Sequence, residues 1–158
     1  MSELQFLALD AMNRLQQKSA TVGKTSRLRI FTESGTWTCP APGTEVFALV
    51  IGGGGAGAIA SGISPAGGAS YFGETVAAGG DGGLLNSSNI TFYITPVGGF
   101  FGFGGGGVGS NNMRSVGKPG GVTSFYGNVD DDVQVTVGNG GAGQSPGAQG
   151  AVFVFWIE

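Results

Sequence analysis

A mainly β fold, with one short N-terminal helix and ordered glycine-rich segments, is predicted by three features of this 158-residue chain. An amphipathic helical stripe is confined to the first residues. Short strand-like runs follow it, and 31 of the 34 glycines fall between Gly52 and Gly150. Apolar residues make up 41% of the chain and charged residues 11%, which is the composition of a folding chain rather than a disordered one. The length suits one domain and a short appendage, divided here into residues 1–26 and 27–158.

Residues 3–18 are expected to be helical. Ser2 can cap the N-terminus, and Leu4, Leu7, Ala8, Ala11, Met12 and Leu15 recur at i, i+3, i+4, i+7 spacing opposite Glu3, Asp10, Asn13, Arg14 and Gln17. A helix this short is marginal alone. Its stripe therefore packs either on its own domain or, through Leu4, Ala8, Ala11 and Leu15, against further copies or a host scaffold. The linker ATVGKTS (Ala20 to Ser26) follows.

From Arg27 the pattern is that of strands. RLRIFT (Arg27 to Thr32) and TWTCP (Thr36 to Pro40) flank a hairpin-sized connection, and Pro40-Ala41-Pro42-Gly43 makes the next turn. EVFALVI (Glu45 to Ile51) and the closing AVFVFWIE are apolar on both faces, as interior strands are. NITFYIT (Asn89 to Thr95) and VQVTV (Val133 to Val137) alternate, each with one buried face. GGASYFG (Gly67 to Gly73) echoes GGVTSFYG (Gly120 to Gly127), so that glycine segments lead repeatedly into short aromatic strands. No second helix is expected.

EVFALVI runs into GGGGAGAIAS, where Gly52, Gly54 and Gly57 satisfy the G-x-G-x-x-G spacing of a dinucleotide-binding loop. That loop needs a helix immediately afterwards, whose amides hold the phosphates. Ile59 to Gly68 contains no good helix-forming run, and no alternation of strands and helices follows. No cofactor is expected. The aromatics that punctuate the glycine runs instead seek burial. Bare backbone can supply it if the segments adopt polyproline-II geometry and pack closely through N–H···O and Cα–H···O contacts.

Other chemistry is limited by composition. The chain has no histidine, which removes the commonest general base and zinc ligand. The net charge of −3 opposes nucleic-acid binding, and Arg14, Lys18, Lys24, Arg27 and Arg29 read as a solvated helix face and linker. Cys39, the only cysteine, reads as a half-buried strand residue. Asp130-Asp131-Asp132 is the one acidic cluster, a solvated turn before VQVTV or a loop calcium site, and adjacent strand residues alternate faces, so no carboxylate pair for catalysis is expected. No signal peptide or membrane-spanning run is expected.

FTESGTWTCPAPGTEVFALVIGGGGAGA, GGASYFGETVAAGGDGG and NVDDDVQVTVGNGGAGQSPGAQGAVFVFWIE, in this order over about residues 28–158, resemble the opening, middle and closing motifs of the glycine-rich domains of bacteriophage tail and tail-fibre proteins. Cys39 stands where the family pattern has valine, and Asn111 to Pro119 is an insert. The resemblance implies a β-sandwich, jelly-roll-like, carrying polyglycine loops at a receptor-facing tip of the virion. It also implies a homo-oligomer, with a trimer favoured, attached to other virion proteins through residues 1–20. No enzyme activity, metal, nucleic acid or membrane insertion is expected. Tyr71, Phe72, Phe100, Phe101, Phe103, Asn111, Asn112 and Arg114 are the candidates for contact with a host polysaccharide or outer-membrane protein, core packing being the alternative for each aromatic. A purely architectural decoration or adaptor protein is the other functional reading.

Overall fold

The computed structural model describes residues 10, 13, 14, 17, 23–58, 62–85, 103–107, 116–143 and 145–158. Ten strands lie among them: β1 (Ser26–Phe31), β2 (Gly35–Trp37), β3 (Thr44–Ile51), β4 (Gly62–Ile63), β5 (Ser70–Phe72), β6 (Thr75–Ala77), β7 (Leu84–Leu85), β8 (Val122–Val129), β9 (Val133–Thr136) and β10 (Ala151–Ile157). One antiparallel sheet has the order β1-β10-β3-β8 and a second the order β2-β9-β5-β6, while β4 and β7 pair separately.

The two runs that are apolar on both faces, β3 and β10, occupy the middle of the first sheet, as expected. Val50 faces Val152 and Ala48 faces Val154 across the ladder. A core cluster draws Val46, Ala48, Val50, Val152 and Val154 from this sheet and Trp37, Phe72, Ala77 and Val135 from the other. Burying a valine or a phenylalanine this fully contributes about 1.5–3 kcal/mol. The alternation of β9 sets Val135 inward and leaves Gln134 and Thr136 exposed. Trp37 is 1% exposed, and its indole nitrogen has no hydrogen-bond partner among the described residues. It stands edge-on to Trp156, with ring centroids 5.6 Å apart.

The opposite face of the first sheet is apolar as well. Phe47, Leu49, Ile51, Ala151, Phe153 and Ile157 form a second cluster there. Cross-strand pairing sets Leu28 opposite Phe155, Ile30 opposite Phe153 and Tyr126 opposite Phe47, so these three share that face.

At the N-terminus only Asp10, Asn13, Arg14 and Gln17 are described, each with helical backbone, and Arg14 Nε lies 2.9 Å from Asp10 Oδ2 one turn away. The stripe Leu4, Leu7, Ala8, Ala11, Met12 and Leu15 lies outside the described residues, as does NITFYIT.

Candidate functional site

Beyond the end of β3 the packing element changes from side chain to backbone. Residues 52–58 are all buried, and a buried amide must find an acceptor. Those of 52–57 do so with a period of three. Gly52 donates to Gly121 O (2.9 Å) and Gly55 to Lys118 O (3.0 Å). Gly53 donates to Gly68 O (2.9 Å) and Ala56 to Pro65 O (2.9 Å). Gly54 donates to Ala148 O (2.8 Å) and Gly57 to Ser145 O (2.8 Å). Three further segments donate inward: Gly80 to Gly53 O, Gly107 to Gly55 O and Gly141 to Gly54 O, each at 2.8 Å.

The six surrounding segments are also bonded to one another in a closed ring. Gly67 N–H reaches Gly80 O, Lys118 N–H reaches Asp81 O, Gly117 N–H reaches Gly107 O, and Ala148 N–H reaches Gly105 O. Gly150 N–H to Gly138 O and Gly68 N–H to Asn139 O complete the circuit. Segments 65–68, 117–121 and 145–150 run toward β5, β8 and β10, whereas 80–83, 104–107 and 138–141 run away from the sheets. Directions therefore alternate around the ring. Ala58 and Ser64, Gly107 and Gly117, and Gly141 and Ser145 consequently lie pairwise toward the same pole, the one remote from β3.

Steric contact explains why the centre is glycine. A Cβ at Gly54 would lie 2.0 Å from Gly105 O, and one at Gly55 would lie 2.0 Å from Asp81 O. Surrounding segments need glycine where they face inward, as at Gly117 and Gly120, whose added Cβ atoms would meet Gly55 O at 2.1 Å and Gly52 O at 2.0 Å, and where they press on a neighbour in the ring, as at Gly80 and Gly106, whose added Cβ atoms would meet Lys118 O at 2.0 Å and Gly117 O at 1.8 Å. Between such positions they carry Asp81, Lys118, Pro119 and Gln149, which are exposed. Lys118 Nζ bridges to Asp81 Oδ2 at 2.8 Å, joining two adjacent segments. The hydrogen bond and charge of Lys118 hold the Asp81 carboxyl below its ordinary value.

Ser70 couples this layer to the sheets. It is fully buried, donates from Oγ to Ile51 O (2.7 Å), and accepts from Gly138 N–H (2.9 Å). Sequence reasoning passed over it. The signal was a lone serine beside the aromatic pair of GGASYFG, where a buried serine requires partners.

The phosphate-loop reading fails because every amide of 52–57 is already bonded to a protein carbonyl. The acidic turn is likewise occupied with backbone. Asp132 Oδ1 accepts Cys39 N–H at 2.9 Å, and Asp130 Oδ1 accepts Gly43 N–H at 2.9 Å, where Gly43 has φ of 78°. The Cys39 thiol, half-buried, donates to Ala41 O and Val129 O. No group of residues that could hold a metal ion occurs among the described residues.

The contact candidates separate. Tyr71 is 39% exposed on the outward face of the second sheet, opposite Val76 and Thr136. Phe72 is a core residue at 3% exposure, with its ring near Trp37 and Phe125. Phe103 packs edge-on against Phe153, with centroids 5.8 Å apart. For these two, packing is the role observed. Phe100, Phe101, Asn111, Asn112 and Arg114 lie outside the described residues. Comparison with protein-family models, with curated proteins and with solved structures returns no match.

Proposed function

We propose that this chain is a structural protein of a bacteriophage virion, a tail-fibre or tail-tip adhesion component that displays a glycine-rich layer for recognition of the host surface. The two sheets are read as a jelly-roll-like β-sandwich and the glycine segments as polyproline-II strands. Residues 1–26 attach the domain to other virion proteins or to further copies of the chain.

One observation carries this reading: the period-three hydrogen bonding of 52–57 inside a closed ring of six segments. Three residues per turn is the repeat of polyproline II. A layer whose amides are satisfied internally is a rigid base, and it gathers at one pole the residues that flank 59–63, 108–116 and 142–144. Binding sites are commonly loops presented by such a scaffold. Asn111, Asn112 and Arg114 belong to the longest of these stretches and, together with Phe100, Phe101 and, on the second sheet, Tyr71, stay contact candidates; Phe72 and Phe103 leave the set.

The test is binding of fluorescently labelled purified protein to a panel of bacterial cells. Cell labelling that falls at least tenfold in an Asn111→Ala, Asn112→Ala, Arg114→Ala variant of unchanged thermal midpoint is the expected result. A protein that leaves all cells unlabelled would instead be an architectural piece whose glycine layer serves as a shell.

A further inference from the structure

We propose that Asn139–Gly140, in one of the six segments around the central strand, is a self-modification site whose reaction the closed glycine layer holds off. It is the chain's one Asn-Gly pair, and Asn139 is exposed. Gly140 has no side chain to shield its own nitrogen, and its N–H donates to no carbonyl of the described residues. The reaction needs only these two residues and water. Gly140 N attacks Asn139 Cγ, the side-chain amide departs as ammonia, and a five-membered imide remains. Water then opens the imide on either side of that nitrogen. Cleavage from Cγ leaves an ordinary aspartate. Cleavage from the old backbone carbonyl leaves isoaspartate, whose main chain runs through Cβ and Cγ and is one carbon longer.

The layer opposes the first step. Bringing Gly140 N onto Cγ requires rotation about the Asn139 Cα–C bond, which swings the carbonyl oxygen carried by the same carbon. That oxygen is pinned. It accepts Gly68 N–H at 2.8 Å and lies against the central strand, where a Cβ added to Gly53 would meet it at 2.2 Å. Residues on either side are held as well: Gly138 donates to Ser70 Oγ and accepts from Gly150 N–H, both at 2.9 Å, and Gly141 donates to Gly54 O at 2.8 Å. Attack therefore waits for the segment to leave the ring, which is a local opening.

The two products differ in whether the ring can close again. An aspartate at this exposed position keeps the original backbone. Isoaspartate sets an extra carbon between the anchors to Gly68 and Gly54, in a segment where a single carbon added to Gly140 would already lie 1.9 Å from Gly147 O. Close-packed interiors do not take up such additions without displacement. A layer that has opened can thus acquire a lesion that keeps it open, a chemical route to irreversible unfolding. Neither step depends on host recognition.

Ageing of the full-length protein at mildly alkaline pH, in buffer and in urea, tests it. Peptide mass mapping should find deamidation at Asn139 in the unfolded chain, and a rate slower by about tenfold or more in the native protein. Equal rates, or no reaction at Asn139 in urea, overturn the proposal. The urea-aged sample is then returned to buffer and labelled with deuterium. Chromatography resolves the unreacted, aspartate and isoaspartate forms of the peptide spanning Asn139, so uptake is read on each. Protection should return in the first two and not in the third, and equal protection in all three also overturns the proposal. An Asn139→Asp variant is the matched control and should keep the wild-type melting temperature and protection. Their loss would assign the damage to charge rather than chain length, and the proposal would fall.

Discussion

Val154 and Gly54 are both buried, yet opposite means hold them in place. Around Val154 the interior is filled by branched and aromatic side chains from two sheets, whose removal from water is the stabilising term. Around Gly54 there is almost no side chain to bury. Ordering a residue costs about 1–2 kcal/mol of backbone entropy, and here it is offset by hydrogen bonds worth about 0.5–1.5 kcal/mol each and by close backbone dispersion contacts. The first kind of packing tolerates small losses of volume. The second has no volume to give.

The sharpest break in that comparison sets a methyl added to the glycine layer against a methyl removed from the sheet three residues earlier. Gly54→Ala drives a carbon to within 2.0 Å of Gly105 O, so two segments must separate and their shared bonds must lengthen. Overpacking of this kind costs about 3 kcal/mol or more, a fall of about 6–12 °C in melting temperature for a domain of this size. Ile51→Val, at a side chain 1% exposed, should cost only about 1 kcal/mol. Thermal unfolding of both variants checks the order. Equal effects would mean that the layer yields like an ordinary core.

A smaller effect is expected at the junction. Ser70→Ala removes the donor to Ile51 O and leaves the buried Gly138 amide without an acceptor, a cost of about 1–3 kcal/mol. Amide exchange would locate the loss. Faster exchange at Gly138 and Gly68, with the β3–β10 ladder unchanged, is the expected pattern, and uniform acceleration would mean that layer and sheets unfold as one unit.

Much of this comparison was legible in the residues. Doubly apolar EVFALVI and AVFVFWIE announced the two central strands, because only an interior strand buries both faces. Four consecutive glycines at 52–55 mark the strand that is surrounded on all sides, and the three-residue spacing of Gly117 and Gly120 marks one that touches it along a single edge. That spacing became readable only once the partner segments were known, since no local signal pairs Gly52 with Gly121 across the intervening chain. Likewise, nothing local distinguishes the buried Phe72 from its exposed neighbour Tyr71. Strand alternation assigns them to opposite faces, but not which face is the core.

The smallest expected effect tests whether side chains matter to the layer at all. Asp81 and Lys118 sit on adjacent segments that are already joined by Lys118 N–H to Asp81 O. Because the Lys118 hydrogen bond and charge depress the Asp81 carboxyl in the folded state, folding favours its ionised form. The stability this contributes is complete above the ordinary aspartate value of about 4. It is lost as pH falls through the lower, folded value. Both side chains are well exposed, so solvent screens the pair and the pH-dependent component should be near the limit of detection. Asp81→Asn should therefore leave the melting temperature at pH 7 almost unchanged and slightly reduce its decline between pH 5 and pH 3. A large loss at pH 7 would mean that the clasp between side chains, rather than the backbone ring, holds these two segments together.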